Sequence, residues 1–297
     1  MIYPSKIRIV PNCKLAKITA NHTDEQYQTL MDGAKGGVIE KKKHKKHGDI
    51  ISTYYITNIV DSDNSDPLTS SDYDVLSVWI SEIENGNMCT TVAIILRGLT
   101  GKIRREIGGT HNGIVNPDQR FFILNSIKKL MTTVIEIDLT EVNQKLGYND
   151  GKQEKIKSAI LPCYYKTEKI NGQIVQDTIY FDRQSPIFKI ADERNQIIRY
   201  DVELLNVLNQ NNTPLVITIK NYVILRVMEI KKHKMTPTIT LDDVFKKARI
   251  SDASKWKKQD ARNAIDEFLK HLQNKKVIKS YEWTKKGNKF YSVKLTF

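Results

Sequence analysis

The chain has little cysteine. Cys13, Cys89 and Cys163 are the only three in 297 residues, they lie far apart, and no two are spaced as a C-x-x-C pair. That excludes a disulfide framework and a cysteine zinc site of ordinary spacing, and it fits a reducing, cytoplasmic setting. Long apolar runs are also missing. No stretch approaches the ~18 consecutive apolar residues of a membrane-spanning helix. The segment beginning Met1, Ile2, Tyr3, Pro4 lacks the apolar core of a secretory signal. Catalytic signatures are absent too. No glycine, four residues, glycine, lysine and serine or threonine occur in the order of a nucleotide-binding P-loop, and Gly98 to Lys102 has the wrong spacing. There is no H-E-x-x-H. His44 and His47 sit among lysines, where a metal cation is electrostatically disfavoured. The expectation is a protein with no cofactor, no metal and no catalytic residues. The tyrosines leave a tyrosine-nucleophile nicking enzyme as a remote alternative.

Acidic residues are in deficit. Lys and Arg number 47 against 34 Asp and Glu, a formal charge of +13. A field of that sign favours a polyanion as partner, although a merely basic globular protein has the same balance.

Three regions separate along the chain. Residues 1–66 form a basic, β-containing N-terminal extension. Ile50 to Val60 is β-branched and aromatic and reads as a strand. The preceding Lys41–Lys46 run is either a hairpin tip that projects charge or a solvated loop. A polar cluster from Asp61 to Pro67 ends the region.

In the second region, residues 67–189, Tyr73, Val75, Leu76, Trp79, Ile80 and Ile83 recur at helical period after a cap among Thr69 to Asp72. Thr90 or Thr91 caps a second helix, Val92–Leu99, ended by Gly101. A third starts at Pro117. Val134–Leu139 alternates as a strand, and Asn171-Gly172 marks a hairpin between Tyr164–Lys169 and Thr178–Phe181. Three helices followed by a β-ribbon is the order of a winged helix. Residues 190–215 link the halves, and the segment from Ser185 to Asn206 reads equally as helix or strand.

The third region, residues 216–297, repeats the order. Thr218 is placed as N-cap of a helix through Tyr222–Ile230 that Pro237 stops. Thr240 caps a short helix from Leu241 to Ala248, with Asp242 and Asp243 in its first turn. Lys258–Gln273 forms a third helix that buries Ala261, Ala264, Ile265, Phe268, Leu269 and Leu272. Val277–Trp283 and Lys289–Thr296 are strands around a turn at 284–288. The fold class expected is α+β: tandem winged helix-turn-helix domains behind the N-terminal extension.

A helix that enters the major groove buries one face and keeps the other polar and mostly basic. The third helix of the C-terminal region satisfies this. Arg262 and Asn263 are the base-reading candidates, since Arg pairs with guanine and Asn with adenine. Asp266 lies on the same face. Lys257, Lys258 and Gln259 lie at the N-terminal end of the helix, where amide groups also favour phosphate, and Lys257, Lys258 and Lys270 suit the phosphate backbone. Lys285, Lys286 and Lys289 make the turn at 284–288 a lysine-rich wing tip, suited to a phosphate or the minor groove, or alternatively a solubilising feature. In the second region Arg120, Asn125, Lys128 and Lys129 on the third helix are accessory candidates. So are Lys102, Arg104 and Arg105 in the glycine-rich loop that also holds His111. The more apolar surface of that helix suits dimerisation.

The chain resembles plasmid-type replication initiators built from two winged-helix domains. The residues that carry the resemblance are Leu68–Trp79 and Arg120–Leu130 ahead of Val134–Leu139, then Tyr222–Lys232, Ile239–Ala248, Arg262–Ile278 and the Lys285–Lys289 wing. It is a likeness of element order over about residues 68–297. It implies binding to repeated double-stranded sites at the origin of a plasmid or other mobile element, and opening of adjacent AT-rich DNA. It also implies recruitment of the host replicative helicase or its loader, and a homodimer. On that pattern Arg262, Asn263 and Lys270 carry the main reading role and the Arg120–Lys129 helix the accessory one. The sequence departs from the pattern in its first sixty residues and in the long Gly101–Gly113 loop. A winged-helix transcription regulator reads DNA in the same way and is the alternative; a scaffold that uses winged helices for protein contacts is another.

Overall fold

A computed structural model describes residues 6–11, 38–44, 48–58, 68–101, 115–138, 155–193, 196–208, 210–287 and 289–297. In chain order its elements are β1 (Ile7–Pro11), β2 (Val38–His44), β3 (Gly48–Asn58), α1 (Ser70–Glu84), β4 (Cys89–Thr91), α2 (Val92–Thr100), α3 (Pro117–Thr132), β5 (Thr133–Asp138), β6 (Lys155–Ala159), β7 (Cys163–Ile170), β8 (Gln173–Phe181), α4 (Pro186–Glu193), β9 (Ile197–Asp201), α5 (Pro214–His233), β10 (Thr238–Thr240), α6 (Leu241–Lys247), α7 (Lys255–Asn274), β11 (Ser280–Lys286) and β12 (Lys289–Thr296). The architecture is α+β, with small sheets and helices. None of these helices is long and apolar enough to cross a membrane.

The chain divides into two compact units. One comprises Pro11–Leu76 and Arg120–Ile197. Its largest sheet has four antiparallel strands in the order β2-β3-β5-β6. The Lys41–Lys46 run is therefore mostly strand and not loop: Lys41 pairs with Ile51 and His44 with Gly48, while 45–47 fall outside the described residues. The strand β5, which follows α3, joins this sheet through Tyr54–Ile137 and Ile137–Ile156 pairs. The first helix starts as expected. Thr69 Oγ1 accepts from Asp72 N, and Asp72 Oδ2 accepts from Thr69 N at 2.7 Å, a reciprocal capping box. The second carboxylate oxygen accepts from Ser126 Oγ at 2.6 Å, so one capping residue also fastens α1 to α3. Asn171 and Gly172, both with positive φ, turn β7 into β8.

The other unit comprises Met1–Val10, Ser77–Gln119 and Ile198–Phe297. Strand β1 pairs with β9, and buried Arg8 donates to the Gly98 carbonyl at 2.7 Å. Thr91 caps α2 and Gly101 ends it at φ 69°. A Cβ on Gly101 would lie 2.6 Å from the Val202 carbonyl oxygen, so both backbone angle and space require glycine. The undecided segment around 185–206 is both helix and strand: α4, then β9, then a 3-10 turn at Val202–Leu205.

The same unit contains the C-terminal module, with the order α5-β10-α6-α7-β11-β12 and a sheet ordered β10-β12-β11. Helix α5 begins at Pro214, capped by Thr213, not at Thr218. Proline at the first helical position has its φ preset and no N–H to leave unpaired. Thr218 sits a turn inside, its hydroxyl donating to the Pro214 carbonyl. Helix α7 begins at Lys255 behind Ser254, about a turn before the expected Lys258. Its buried side is the six residues read from the sequence. Burying Ile265, Phe268, Leu269 and Leu272 is worth roughly 1.5–3 kcal/mol each, enough to fix which way the helix faces despite its mixed charges. Strand β11 runs from Ser280 to Lys286, later than the expected 277–283. Lys286 pairs directly with Lys289, so the turn is shorter than 284–288.

Candidate nucleic-acid interface

Helix α7 turns away from the core a face made of Trp256, Gln259, Asp260, Asn263, Glu267 and Lys270, with Arg262 and Asp266 along its flank. Lys257 is exposed in the first turn, where Ser254 Oγ accepts its backbone N–H. Lys258 is half-buried, its ammonium 6.0 Å from the centre of the Phe245 ring of α6. Gln259 Nε2 donates to Asn263 Oδ1 at 2.8 Å, a pair one helical turn apart that orients both amides. His271, behind this face, is pushed below its ordinary value by burial and then by nearby lysines, so it adds no charge at neutral pH.

Asp266, on the same face, has partners within the module. Its Oδ1 accepts from the Tyr281 hydroxyl and from Trp283 Nε1, both at 2.9 Å, and its Oδ2 lies 2.9 Å from Lys270 Nζ. A carboxylate committed to two strand donors and a lysine fixes the β11–β12 hairpin to α7. Burial pushes this carboxyl up, but the bonds from Trp283, Lys270 and Tyr281 outweigh it and hold the group below its ordinary value. Burial and the carboxylate together push the Tyr281 hydroxyl up, so it stays a donor.

A second tie runs through Phe290. The Arg262 guanidinium carbon lies 4.0 Å from the centre of its ring, and Lys285 Nζ lies 4.9 Å from it. Trp283 meets the same ring edge-on, with centroids 5.7 Å apart and planes at 77°. A guanidinium stacked on a ring still points its N–H donors outward in its own plane, so the stack holds the side chain without consuming its hydrogen-bonding edge. Lys285 and Lys286 are exposed and Gly287 turns the hairpin at φ 61°. Lys289 opens β12; its side chain is outside the described residues. The structure thus brings Arg262, Asp266, Lys270 and Lys285 into one cluster, through Tyr281, Trp283 and Phe290, which the sequence reading did not single out.

The accessory residues are not gathered in the same way. Arg120 bonds both oxygens of Asp177, whose side chain is 3% exposed and also accepts from Thr167 Oγ1 at 2.6 Å. Burial pushes Asp177 up, and the Arg120 and Thr167 bonds more than reverse it. Lys129 Nζ is 3.9 Å from Asp72, Asn125 is half-buried, and Lys128 is exposed. Lys102, Arg104, Arg105 and His111 fall outside the described residues. Among the described residues no group of three His, Cys, Asp or Glu is placed to hold a metal ion.

No protein-family model matches the chain, and no curated protein matches it. Solved structures similar to it include a crystal structure of domains 2 and 3 of RctB, 12% identical, covering 88% of this chain and 91% of that one, with a TM-score of 0.45. A selenomethionine derivative of domains 2 and 3 of RctB is 13% identical, covering 94% of this chain and 98% of that one, with a TM-score of 0.40.

Proposed function

We propose that the C-terminal module is a winged helix that binds double-stranded DNA by sequence, and that the protein acts by binding, without catalysis, to start replication at an origin. The observation that carries this reading is the union of α7 and the β11–β12 hairpin. Asp266 and Phe290 join a polar, solvent-facing helix to a lysine-tipped hairpin, in a chain of charge +13. Helix α7 enters the major groove, with Arg262 to guanine and Asn263 to adenine. Lys257, Lys258 and Lys270 hold the backbone, and Lys285, Lys286 and Lys289 reach phosphate from the wing. Asp266 positions the wing and does not read a base.

A first winged helix within residues 67–189, a span whose residues 77–119 belong to the same compact unit as the C-terminal module, serves in dimerisation or accessory DNA contact, through Lys128 more than through the ion-paired Arg120. Residues 190–215 link it to the C-terminal domain. The binding sites are repeats at the origin of a plasmid or other mobile element, in the cytoplasm, where the protein recruits the host helicase or its loader.

The test is a footprint of the purified protein on DNA flanking its own gene at near-physiological salt, with a probe for unpaired bases. Regularly spaced protection beside an opened AT-rich tract is the expected result. One or two protected sites over a promoter without opening assign a transcription regulator instead, and no protection removes the DNA reading.

A further inference from the structure

Trp256 is the largest apolar side chain that α7 leaves in water, 81% exposed on a helix that otherwise buries its apolar residues. An indole left out carries most of its apolar surface unburied, and such a surface marks a contact more often than an isolated aliphatic does. Its position is specific. It precedes Gln259 by three residues and Asn263 by seven, so all three share one helix face. Lys255 and Lys257, both exposed, flank it.

We propose that Trp256 is a specificity-determining residue that packs against the 5-methyl group of a thymine in the major groove; this rests on the DNA-binding reading above. In that groove every base edge is polar except the thymine methyl, the one group an apolar plate on the reading face complements. The polar residues one and two turns further along meet neighbouring base edges, and the lysines on either side hold the flanking phosphates. The first turn of α7 therefore confers a preference for thymine at one position of the site.

The experiment uses the full-length protein and duplexes that it selects from a random-sequence pool. Each thymine of the selected site is replaced singly by deoxyuridine, which removes only the methyl group, and wild type is compared with Trp256→Ala. The expected result is one position where deoxyuridine weakens wild-type binding about three- to fivefold, the worth of one buried methyl. At that position Trp256→Ala shows no further loss. A variant that keeps the same deoxyuridine penalty, or that binds as wild type does, overturns the inference while leaving the DNA reading in place. A variant weakened only on single-stranded DNA also overturns it, and assigns Trp256 to stacking on unpaired bases. Wild-type protein that selects no duplex defeats the DNA reading itself. Circular dichroism of Trp256→Ala checks that the fold is retained, as expected for so exposed a side chain.

Discussion

Asp266→Ala separates a hairpin that is fastened to α7 from one that merely lies near it. The substitution strands the Tyr281 hydroxyl and the Trp283 indole N–H, each of which donates to Oδ1 at 2.9 Å. A buried donor left unpaired costs about 1–3 kcal/mol, and these residues are half-buried, so the lower end applies to each: roughly 2 kcal/mol in all. The Lys270 pair adds little, because the lysine is largely exposed and its charge is screened by water. Asp266→Asn keeps an oxygen that both donors reach and loses the charge, so it costs about 1 kcal/mol, the difference between charged and neutral acceptors. The sign with pH follows from the lowered folded pKa. The carboxylate's contribution is complete above its ordinary value of 3.8 and is lost as pH falls through that value toward the folded one. Urea unfolding of the full-length protein, read on the transition that carries the C-terminal module, measures this at neutral pH and below the ordinary value, at about pH 3. Wild type exceeds Asp266→Ala by about 2 kcal/mol at neutral pH, and its margin over Asp266→Asn narrows on acidification. An alanine variant within ~0.5 kcal/mol of wild type, the range of an ordinary surface substitution, refutes the fastening argument.

Arg262→Ala weakens specific binding by about 1–3 kcal/mol and spares nonspecific binding, measured by competition between the selected site and random duplex; equal loss on both removes its base-reading role. Lys285→Ala with Lys286→Ala lowers affinity for every sequence and reduces the salt slope by about one per lost phosphate contact, and an unchanged slope places the wing off the DNA. Arg120→Ala leaves the Asp177 carboxylate buried with Thr167 alone beside it and destabilises its unit by about 3 kcal/mol in thermal or urea unfolding. A stable variant with weakened DNA binding is the opposite outcome and returns Arg120 to the accessory contacts.

Period and punctuation made much of the C-terminal module legible. The buried side of α7 was readable residue by residue because an amphipathic helix repeats every 3.6 residues, and Thr91, Gly101, Thr240 and the Asn171-Gly172 turn were readable because caps and tight turns use few residue types. Helix starts were less legible where two signals competed. Thr218 is a good cap in isolation, but Thr213 followed by Pro214 is better, and Ser254 lies ahead of a lysine-rich stretch with no apolar period to announce a helix. That late start is why Trp256 went unmarked. Long-range partners were not legible. The pairing of β5 with β3, the Asp266 bonds to Tyr281 and Trp283, and the fully buried Lys220 that donates to the Leu205 carbonyl and Asn212 at 2.7 Å join residues whose partners no local pattern names.

The acidic residues of α7 restrict how the helix can meet a polyanion. A helix meant only to adhere to a polyanion gains from lysine at every exposed position. Here Asp260 and Glu267 interrupt the exposed face, and Asp266 cancels part of the charge of Lys270. Each carboxylate repels phosphate and so penalises docking poses that lay the helix along the backbone. The basic residues that remain cluster at the first turn, at Lys255 and Lys257, and at the wing, at Lys285 and Lys286. That distribution favours a pose with phosphate contacts at the two ends and base edges between them. In the proposed DNA-bound pose the lysines at the ends supply the affinity, and the selectivity comes from Gln259, Arg262 and Asn263 between them together with Trp256 in the first turn.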